Sequence, residues 1–168
     1  IIEILPQRGS RVALIDLNLV EEAGFFRRTL ECAVVKLVCE KAAGKELSDD
    51  FVLALKANLN LQDFYLENPA PDKLMELDNE FHHLLFSCVD KERCYRMCCD
   101  IGIHFDRIRH LALHTVKELK IVGDHHDILS AICACDADRA YALMAAHLTR
   151  FEIDEKLIKN KYPEYFVN

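Results

Sequence analysis

Asp78 and His82 stand four positions apart and are the first residues in this sequence whose types and spacing could do chemistry. Leucine and phenylalanine recur around them at helical spacing, which predicts a helix that begins just after Pro71 and ends near Val89. Residues four apart lie on the same face of a helix, and here that face is the apolar one. A carboxylate is costly to bury without a partner, so this face either pairs it or lines a polar pocket.

Two more histidines, His125 and His147, fall on the apolar faces of two later predicted helices. The turn between these helices lies near Cys135 and Asp136, ten residues after His125 and eleven before His147. At 1.5 Å per residue, both histidines lie about 15 Å from the turn. We therefore expect them to be neighbours across an antiparallel helix pair.

Three inward imidazoles and one carboxylate together predict a mononuclear metal site. Neutral imidazole and carboxylate suit a divalent ion, with zinc as the first choice and nickel, manganese or iron as alternatives. The competing interpretation of each inward histidine is a hydrogen-bonded core residue. Asp106, His110 and His114 share the same four-residue spacing, but they lie opposite the apolar side chains of their helix and are predicted to face solvent.

The chain that must position these residues has the pattern of an all-α protein. Helical stripes and breaking residues predict six helices, at about 18–43, 48–67, 72–89, 91–119, 122–134 and 137–160. Short connections favour an antiparallel bundle of six or seven helices. Residues 1–16 differ, because they read as two strands around a turn at 6–10 and look like the end of a preceding domain.

Composition limits the classes of function. The chain has 168 residues and a net charge of −7, so by itself it is a poor candidate for binding nucleic acid. It has no apolar run near the ~18 residues of a membrane span and no signal-peptide pattern. Its eight cysteines form no CxxC pair, which favours reduced thiols that serve as small core residues in a cytoplasmic protein.

Several stretches, in order and spacing, resemble the C-terminal effector-binding and dimerisation domain of the FadR subgroup of GntR transcription regulators, the helical FCD domain. They are RRTLE at 27–31, DNEFHHLL at 78–85, DHHDILSAI at 124–132 and the segment 136–148. The resemblance spans about residues 18–155. Residues 5–15 look like the wing that ends the family's winged helix, so the resemblance implies a wing remnant at 1–16 and a helical effector-binding and dimerisation domain at 17–168.

The resemblance also implies a ligand and its site. The domain binds a small carboxylate metabolite, often at a metal held by one aspartate and three histidines, and this pattern falls on Asp78, His82, His125 and His147. An arginine of the first helix commonly meets the ligand carboxylate, which the match places at Arg27.

Two arginines are candidates for that contact, and neither is settled by the sequence. For Arg27, the alternative interpretation is a surface ion pair with Glu31, four residues along the same predicted helix. Arg109 faces partly inward and is a second candidate for the effector.

The leading hypothesis is therefore a cytoplasmic, homodimeric, ligand-sensing regulatory domain that is not an enzyme. It would bind operator DNA only through an N-terminal winged helix-turn-helix, which these residues lack. A metal-dependent hydrolase or oxygenase on a helical bundle is the alternative, since an open metal position can do chemistry. A structural helical domain with a satisfied polar core is the third possibility.

Overall fold

The structure, a computed structural model, describes residues 2–115 and 120–167, and within 151–155 it describes the backbone alone. Two short strands, β1 (Ile2–Leu5) and β2 (Gly9–Val12), form an antiparallel ribbon. The helices that follow are α1 (Leu17–Ala43), α2 (Asp49–Glu67), α3 (Pro71–Cys88), α4 (Glu92–Ile101), α5 (Ile103–Thr115), α6 (Ile121–Cys133), α7 (Ala137–Leu148) and α8 (Arg150–Lys161). A 3-10 turn covers Pro163–Tyr165. The predicted all-α bundle after a β-ribbon is confirmed.

Local signals explain where the helices begin. The side chains of Asp16, Ser48 and Asp136 each accept a hydrogen bond from a backbone N–H of the first turn that follows. Such caps satisfy donors that the helix itself cannot pair. Gly44 ends α1 as the sequence predicts, and Pro71 stands in the first turn of α3, where its missing N–H costs nothing.

Eight helices are present in the described part of the chain, rather than six or seven, because two predicted helices are broken. The predicted helix 91–119 divides at Gly102, where an added Cβ would lie 2.8 Å from the carbonyl oxygen of Cys98 and where glycine is a poor helix former. The predicted helix 137–160 divides at Thr149, whose hydroxyl donates to the carbonyls of Ala145 and Ala146 and competes with the helical ladder. Leu119 and Phe151 are predicted to lie on the apolar faces of these two helices. Leu119 and the side chain of Phe151 lie outside what the structure describes.

The helices enclose two groups of buried apolar side chains. The larger joins α1, α2, α3, α6 and α7 through residues such as Val35, Leu55, Phe81 and Ile132. The smaller lies where the start of α1 meets α5 and α8, and it includes Phe105 and Ile158. The larger group contacts one of the candidate ligands, since Phe81 stacks on His125. Phe105 of the smaller group lines a cavity beside the candidate ligands.

The segment between the ribbon and α1 is held by the end of the chain and by α5. Ile15 forms a parallel bridge with Phe166, with hydrogen bonds to the backbone of Tyr165 and Val167. From α5, Arg107 donates to the carbonyl of Ala13 at 2.8 Å, and the Nδ1 atom of His104 accepts from the N–H of Asp16 at 3.3 Å. The segment that joins the ribbon to α1 is therefore tied to α5 by polar contacts.

The cysteines are only partly the core residues that the sequence predicts. Cys32, Cys39 and Cys98 are buried, and burial raises the pKa of each thiol. The prediction is wrong for Cys99, Cys133 and Cys135, which are exposed, the last two at the α6–α7 turn. None of the helices in the described part of the chain is long and apolar enough to cross a lipid bilayer.

Candidate metal centre

Three helices bring one aspartate and three histidines together in the interior. Helix α3 carries Asp78 and His82 one turn apart, α6 carries His125 and α7 carries His147. Their exposed fractions are 5%, 1%, 0% and 7%. The α6–α7 hairpin places His125 and His147 side by side, as its geometry predicts from the sequence.

The four side chains aim their ligand atoms at one point. The Nε2 atom of His147 lies 3.2 Å from the Nε2 atoms of both His82 and His125. Asp78 completes the group, with Oδ1 at 3.5 Å from His125 Nε2 and Oδ2 at 3.9 Å from His82 Nε2. Ligands about 2.0–2.2 Å from one ion lie roughly 3 to 3.5 Å from each other at right or tetrahedral angles, so the spacing has the scale of a coordination sphere.

The opposite ring nitrogen of His125 has a partner that fixes the proton on that side. His125 Nδ1 lies 2.9 Å from Gln62 Oε1, an atom that can only accept. The amide of Gln62 is oriented in turn, because its nitrogen donates to Asn58 at 2.6 Å. His125 therefore carries its proton on Nδ1 and presents a lone pair at Nε2.

The other two histidines have carboxylates in the same position. His82 Nδ1 pairs with Glu31 Oε2, and both side chains are buried. His147 Nδ1 lies 3.3 Å from Asp124 Oδ2. Carboxylate partners of this kind orient metal-bound histidines and increase their basicity.

All three Nε2 atoms thus bear lone pairs that face one another, with a carboxylate oxygen as the fourth acceptor. Burial lowers the pKa of His125 well below its usual value and lowers that of His82, against the opposing effect of Glu31, so an added proton is disfavoured. Four acceptors without a proton between them repel unless a cation lies at the centre. The donor set therefore fits a divalent ion, and zinc, nickel, manganese or iron all accept these ligands.

The carboxylates around the centre remain ionised although they are buried. Burial would raise the pKa of Asp78, but Arg109 and the histidines hold it well below its usual range. Burial acts in the same direction on Glu31, where Arg27 and His82 outweigh it and lower the pKa to about 2. Each carboxylate is thus a fixed negative charge at neutral pH.

A cavity that is partly open to solvent adjoins the centre at Asp78 and His147. Three arginines lie in its wall, namely Arg27, Arg109 and Arg150. The remaining lining residues are apolar: Met75, Phe105, Ala112, Leu113, Ile121 and Leu148. A small ligand in this cavity could reach the centre of the four acceptors.

Arg27 pairs with Glu31 and also reaches the cavity. The pair uses Arg27 Nε, and the two side chains are 12% and 2% exposed, so it is a buried pair and not the surface pair considered from the sequence. The guanidinium lies 5.5 Å from the centre of the Phe105 ring. The pair with Glu31 does not use the two terminal amino groups of Arg27, and the residue lines the cavity.

Arg109 also lies at the cavity, but its terminal nitrogens are engaged by the protein. It pairs with Asp78 Oδ2, donates to Asn79 Oδ1 at 2.9 Å and donates to Asp106 Oδ1 at 2.6 Å. This arrangement holds Asp78 in place with its other oxygen toward His125.

Sequence reasoning missed the residues behind the ligands: Glu31 as a histidine partner, Gln62, Asp124 and Arg150. Arg150 pairs with Asp124, the partner of His147. Gln62 and Glu31 are polar residues on buried helix faces, a signal that could have identified them. Asp124 directly precedes His125 in sequence but serves His147, which spacing along one helix could not indicate.

A second group of the same residue types lies at the surface. His110 and His114 of α5 place their Nε2 atoms 3.3 and 3.6 Å from Asp72 Oδ1, at the start of α3. The three side chains are 48%, 42% and 78% exposed. The predicted solvent-facing position of His110 and His114 is confirmed.

The chain is similar over nearly its whole length to proteins named as HTH-type transcriptional regulators. The chain is 28% identical over 167 residues to the HTH-type transcriptional repressor RspR of Escherichia coli strain K12, a match that covers 99% of this chain and 71% of the relative. The HTH-type transcriptional regulator YdfH of Shigella flexneri matches to the same extent. An HTH-type transcriptional regulator in an unstable DNA locus of Streptomyces ambofaciens is 26% identical over 170 residues, which covers 99% of this chain and 68% of the relative.

The family model of the FCD domain matches residues 22–150. This range includes α1 to α7 apart from the first residues of α1, and with it all four ligand candidates and both arginine candidates. Since the match spans most of the sequence, the chain belongs to the FCD domain family.

Proposed function

We propose that this chain is the ligand-sensing domain of a GntR-type transcriptional regulator of the FadR subgroup, which binds a small organic acid beside a divalent metal ion. The observation that carries the proposal is the convergence of three unprotonated imidazole nitrogens and a carboxylate oxygen next to a cavity with arginines in its wall. The FCD family match and the regulator names of the relatives support the regulatory part. Residues 1–16 would be the end of a winged helix, and 17–168 the sensing domain.

Asp78, His82, His125 and His147 would hold the ion, with zinc as the first choice. A bound ion would supply a Lewis-acidic position, shared with water, at which an oxygen of the acid binds. Glu31, Gln62 and Asp124 hold the three imidazole rings by their Nδ1 atoms, and Arg109 holds Asp78. The protein thus prepares the site before a ligand arrives, which reduces the entropy lost on binding.

Arg27 is the residue that we assign to the effector carboxylate. Its Nε is bound to Glu31, which fixes the side chain in position and leaves the terminal amino groups to a ligand in the cavity that Arg27 lines. Arginine suits this role because its planar group binds a carboxylate with paired hydrogen bonds. We assign Arg109 chiefly to positioning Asp78, with any contact to the effector as a secondary role.

Helix α5 offers a route from the cavity to the DNA-binding end of the chain. Phe105 and Arg109 lie at the cavity, while His104 and Arg107 of the same helix contact the segment before α1. A ligand that moves α5 would therefore act on this segment directly, in addition to any effect through α1. Binding changes DNA affinity only if it favours one arrangement, and a coupling of about 1–3 kcal/mol corresponds to roughly 5- to 150-fold.

A homodimer in the cytoplasm fits this function, with operator DNA bound through a winged helix-turn-helix outside these residues. Exposed apolar side chains on neighbouring turns, Met97 and Ile101 on α4 and Ile103 on α5, support self-association. A metal-dependent enzyme is the alternative function. The regulator names of the relatives favour sensing over catalysis.

The test begins with protein purified without a nickel column and analysed for metals by mass spectrometry. We expect close to one divalent ion per chain and a rise in melting temperature when small organic acids are added, because a ligand that binds the folded state stabilises it. The double variant His125→Ala/His147→Ala should lose both responses, and His110→Ala/His114→Ala is the matched control. If His125→Ala/His147→Ala binds metal and acids as well as the control does, the proposal is contradicted.

A further inference from the structure

The cavity beside the candidate metal centre is lined by six apolar side chains, and also by Asp78, His147 and three arginines. Asp78 and His147 belong to the centre itself, and the apolar side chains come from four helices. Met75 is on α3, Phe105, Ala112 and Leu113 are on α5, Ile121 is at the start of α6 and Leu148 is at the end of α7. A ligand with its charged group at the centre would therefore meet mostly hydrocarbon with the rest of its body.

The three cations in the wall already have carboxylate partners in the protein. Arg27 pairs with Glu31, and Arg150 pairs with Asp124. Arg109 pairs with both Asp78 and Asp106. A second carboxylate on the ligand would have to compete with these groups for its counter-ion. One ligand carboxylate, by contrast, can lie between the ion and the unused terminal amino groups of Arg27.

We infer, on the basis of the proposed function, that the effector is a monocarboxylic acid with a short apolar body. This class differs from sugar acids and from dicarboxylates, which a metal and an arginine alone would accept equally well. The carboxylate binds at the ion and Arg27, and the body packs between Phe105, Leu113 and Leu148.

The apolar wall disfavours hydroxylated ligands because its side chains cannot form hydrogen bonds. A hydroxyl of a sugar acid placed against Met75, Leu113 or Ile121 would give up water without gaining a hydrogen-bond partner from these side chains. Each methylene of an aliphatic acid that enters the wall instead gains affinity, by about fourfold, until the cavity is full.

The experiment is calorimetric titration of the zinc-loaded protein with three sets of acids. The first set is acetate, propionate, butyrate and hexanoate, the second is succinate and glutarate, and the third is gluconate. We expect the dissociation constant to fall about fourfold per methylene from acetate to butyrate. Succinate, glutarate and gluconate should bind at least tenfold more weakly than butyrate.

A variant of the wall provides the internal control. Met75→Gln keeps the length of the side chain but adds an amide to the wall, so it should reduce the preference for butyrate over gluconate at least threefold without changing the zinc content. Met97→Gln makes the same change on the outside of α4 and should leave the preference as it was. An unchanged preference in Met75→Gln would overturn the inference.

The outcomes distinguish failure of this inference from failure of the proposed function. If gluconate or succinate binds as tightly as butyrate, the effector class is wrong while the sensing function stands. If no acid of any set binds although the protein holds zinc, the proposed function fails as well.

Discussion

The described part of the chain contains two groups of one aspartate and two or more histidines, which have similar composition but opposite surroundings. Asp78, His82, His125 and His147 are buried, and their ligand atoms converge. Asp72, His110 and His114 lie on the surface, also with ligand atoms close together. Both groups include a pair with four-residue spacing on one helix. Spacing along a helix therefore does not distinguish them.

The difference lies in what stands behind each histidine. In the buried group every Nδ1 faces an oxygen of another helix, so every Nε2 is left with a lone pair toward the centre. In the surface group both Nε2 atoms face the same carboxylate oxygen of Asp72, and water can satisfy the remaining polar atoms. The buried group is chemically incomplete without a cation, and the surface group is complete as it stands.

Removal of two candidate ligands should have the largest effect on zinc affinity. If it does not, the contrast between the buried group and the surface group is wrong. The double variant His125→Ala/His147→Ala should lower zinc affinity by well over the roughly 100-fold that loss of an outer-shell residue causes. His110→Ala/His114→Ala should change it less than twofold. Competition with a chromogenic chelator measures both, and equal losses in the two variants would show that the groups do not differ as argued.

Two neighbouring contacts between α2 and α6 sharpen the comparison further. Gln62 accepts from His125 in the interior, while Asp63 pairs with His126 at 3.0 Å on the surface. Gln62→Leu removes the acceptor that sets the tautomer of His125, so it should weaken zinc binding about 10- to 100-fold. Asp63→Asn is the matched change at the surface and should leave the affinity as it is. The chelator assay again decides, and a loss confined to Asp63→Asn would refute the tautomer argument.

The two adjacent arginines of α1 provide a test of the effector contact. Arg27→Lys keeps the positive charge beside Glu31 but loses the planar pair of donors, so it should weaken acid binding by about tenfold while zinc content stays unchanged. Arg28→Lys is the control, since Arg28 is not among the cavity-lining residues. In a full-length regulator, Arg27→Lys should also shift the acid concentration that alters operator binding. Equal shifts in both variants would count against the role of Arg27.

In the metal-free protein, a fall in pH below 6.5 should lower the free energy of unfolding through the buried histidines. Burial lowers the pKa of folded His125 well below 6.5, whereas the unfolded chain binds its proton near 6.5. The unfolded state therefore takes up more protons as the pH falls below 6.5, and the free energy of unfolding decreases by up to about 1.4 kcal/mol per pH unit for each such group. The contributions of Glu31 and Asp78, whose folded pKa values are lowered, are lost only below about pH 4.5.

Urea unfolding at pH 7.5, 6.5 and 5.5 measures this dependence. His110→Ala/His114→Ala should retain the full slope below pH 6.5, because those residues are exposed. His125→Ala should reduce it. A slope that disappears only when the surface histidines are replaced would reverse the assignment.

The smallest effect is expected at the surface group itself. Asp72→Asn removes the carboxylate that faces His110 and His114 and should change the free energy of unfolding by no more than about 1 kcal/mol, as for other exposed ion pairs. The change should shrink further in 0.5 M salt, since exposed charges are screened. Thermal unfolding in low and high salt measures it, and a large, salt-independent loss would mean that the group is not the solvated surface pair described.

The sequence by itself determined most helix positions and showed that the four ligand candidates face the interior. The helical period of about 3.6 residues assigns each residue to a face, and this is a property of the local chain. Asp78, His82, His125 and His147 could therefore be selected together, and equal distances from one turn predicted that His125 and His147 are neighbours. Start and stop signals such as Ser48 and Gly44 are likewise local.

Tertiary structure decided what those ligands need in order to act as a site. Gln62 and His125 are 63 residues apart in sequence, and only the packing of α2 on α6 brings them together. Packing also turned the Arg27–Glu31 pair, local on α1, from a surface pair into a buried one that supports His82. The breaks at Gly102 and Thr149 likewise separate α4 from α5 and α7 from α8 within continuous helical patterns. Local periodicity fixes which side of a helix a residue occupies, but the identity of its partner depends on distances between helices, which no local pattern encodes.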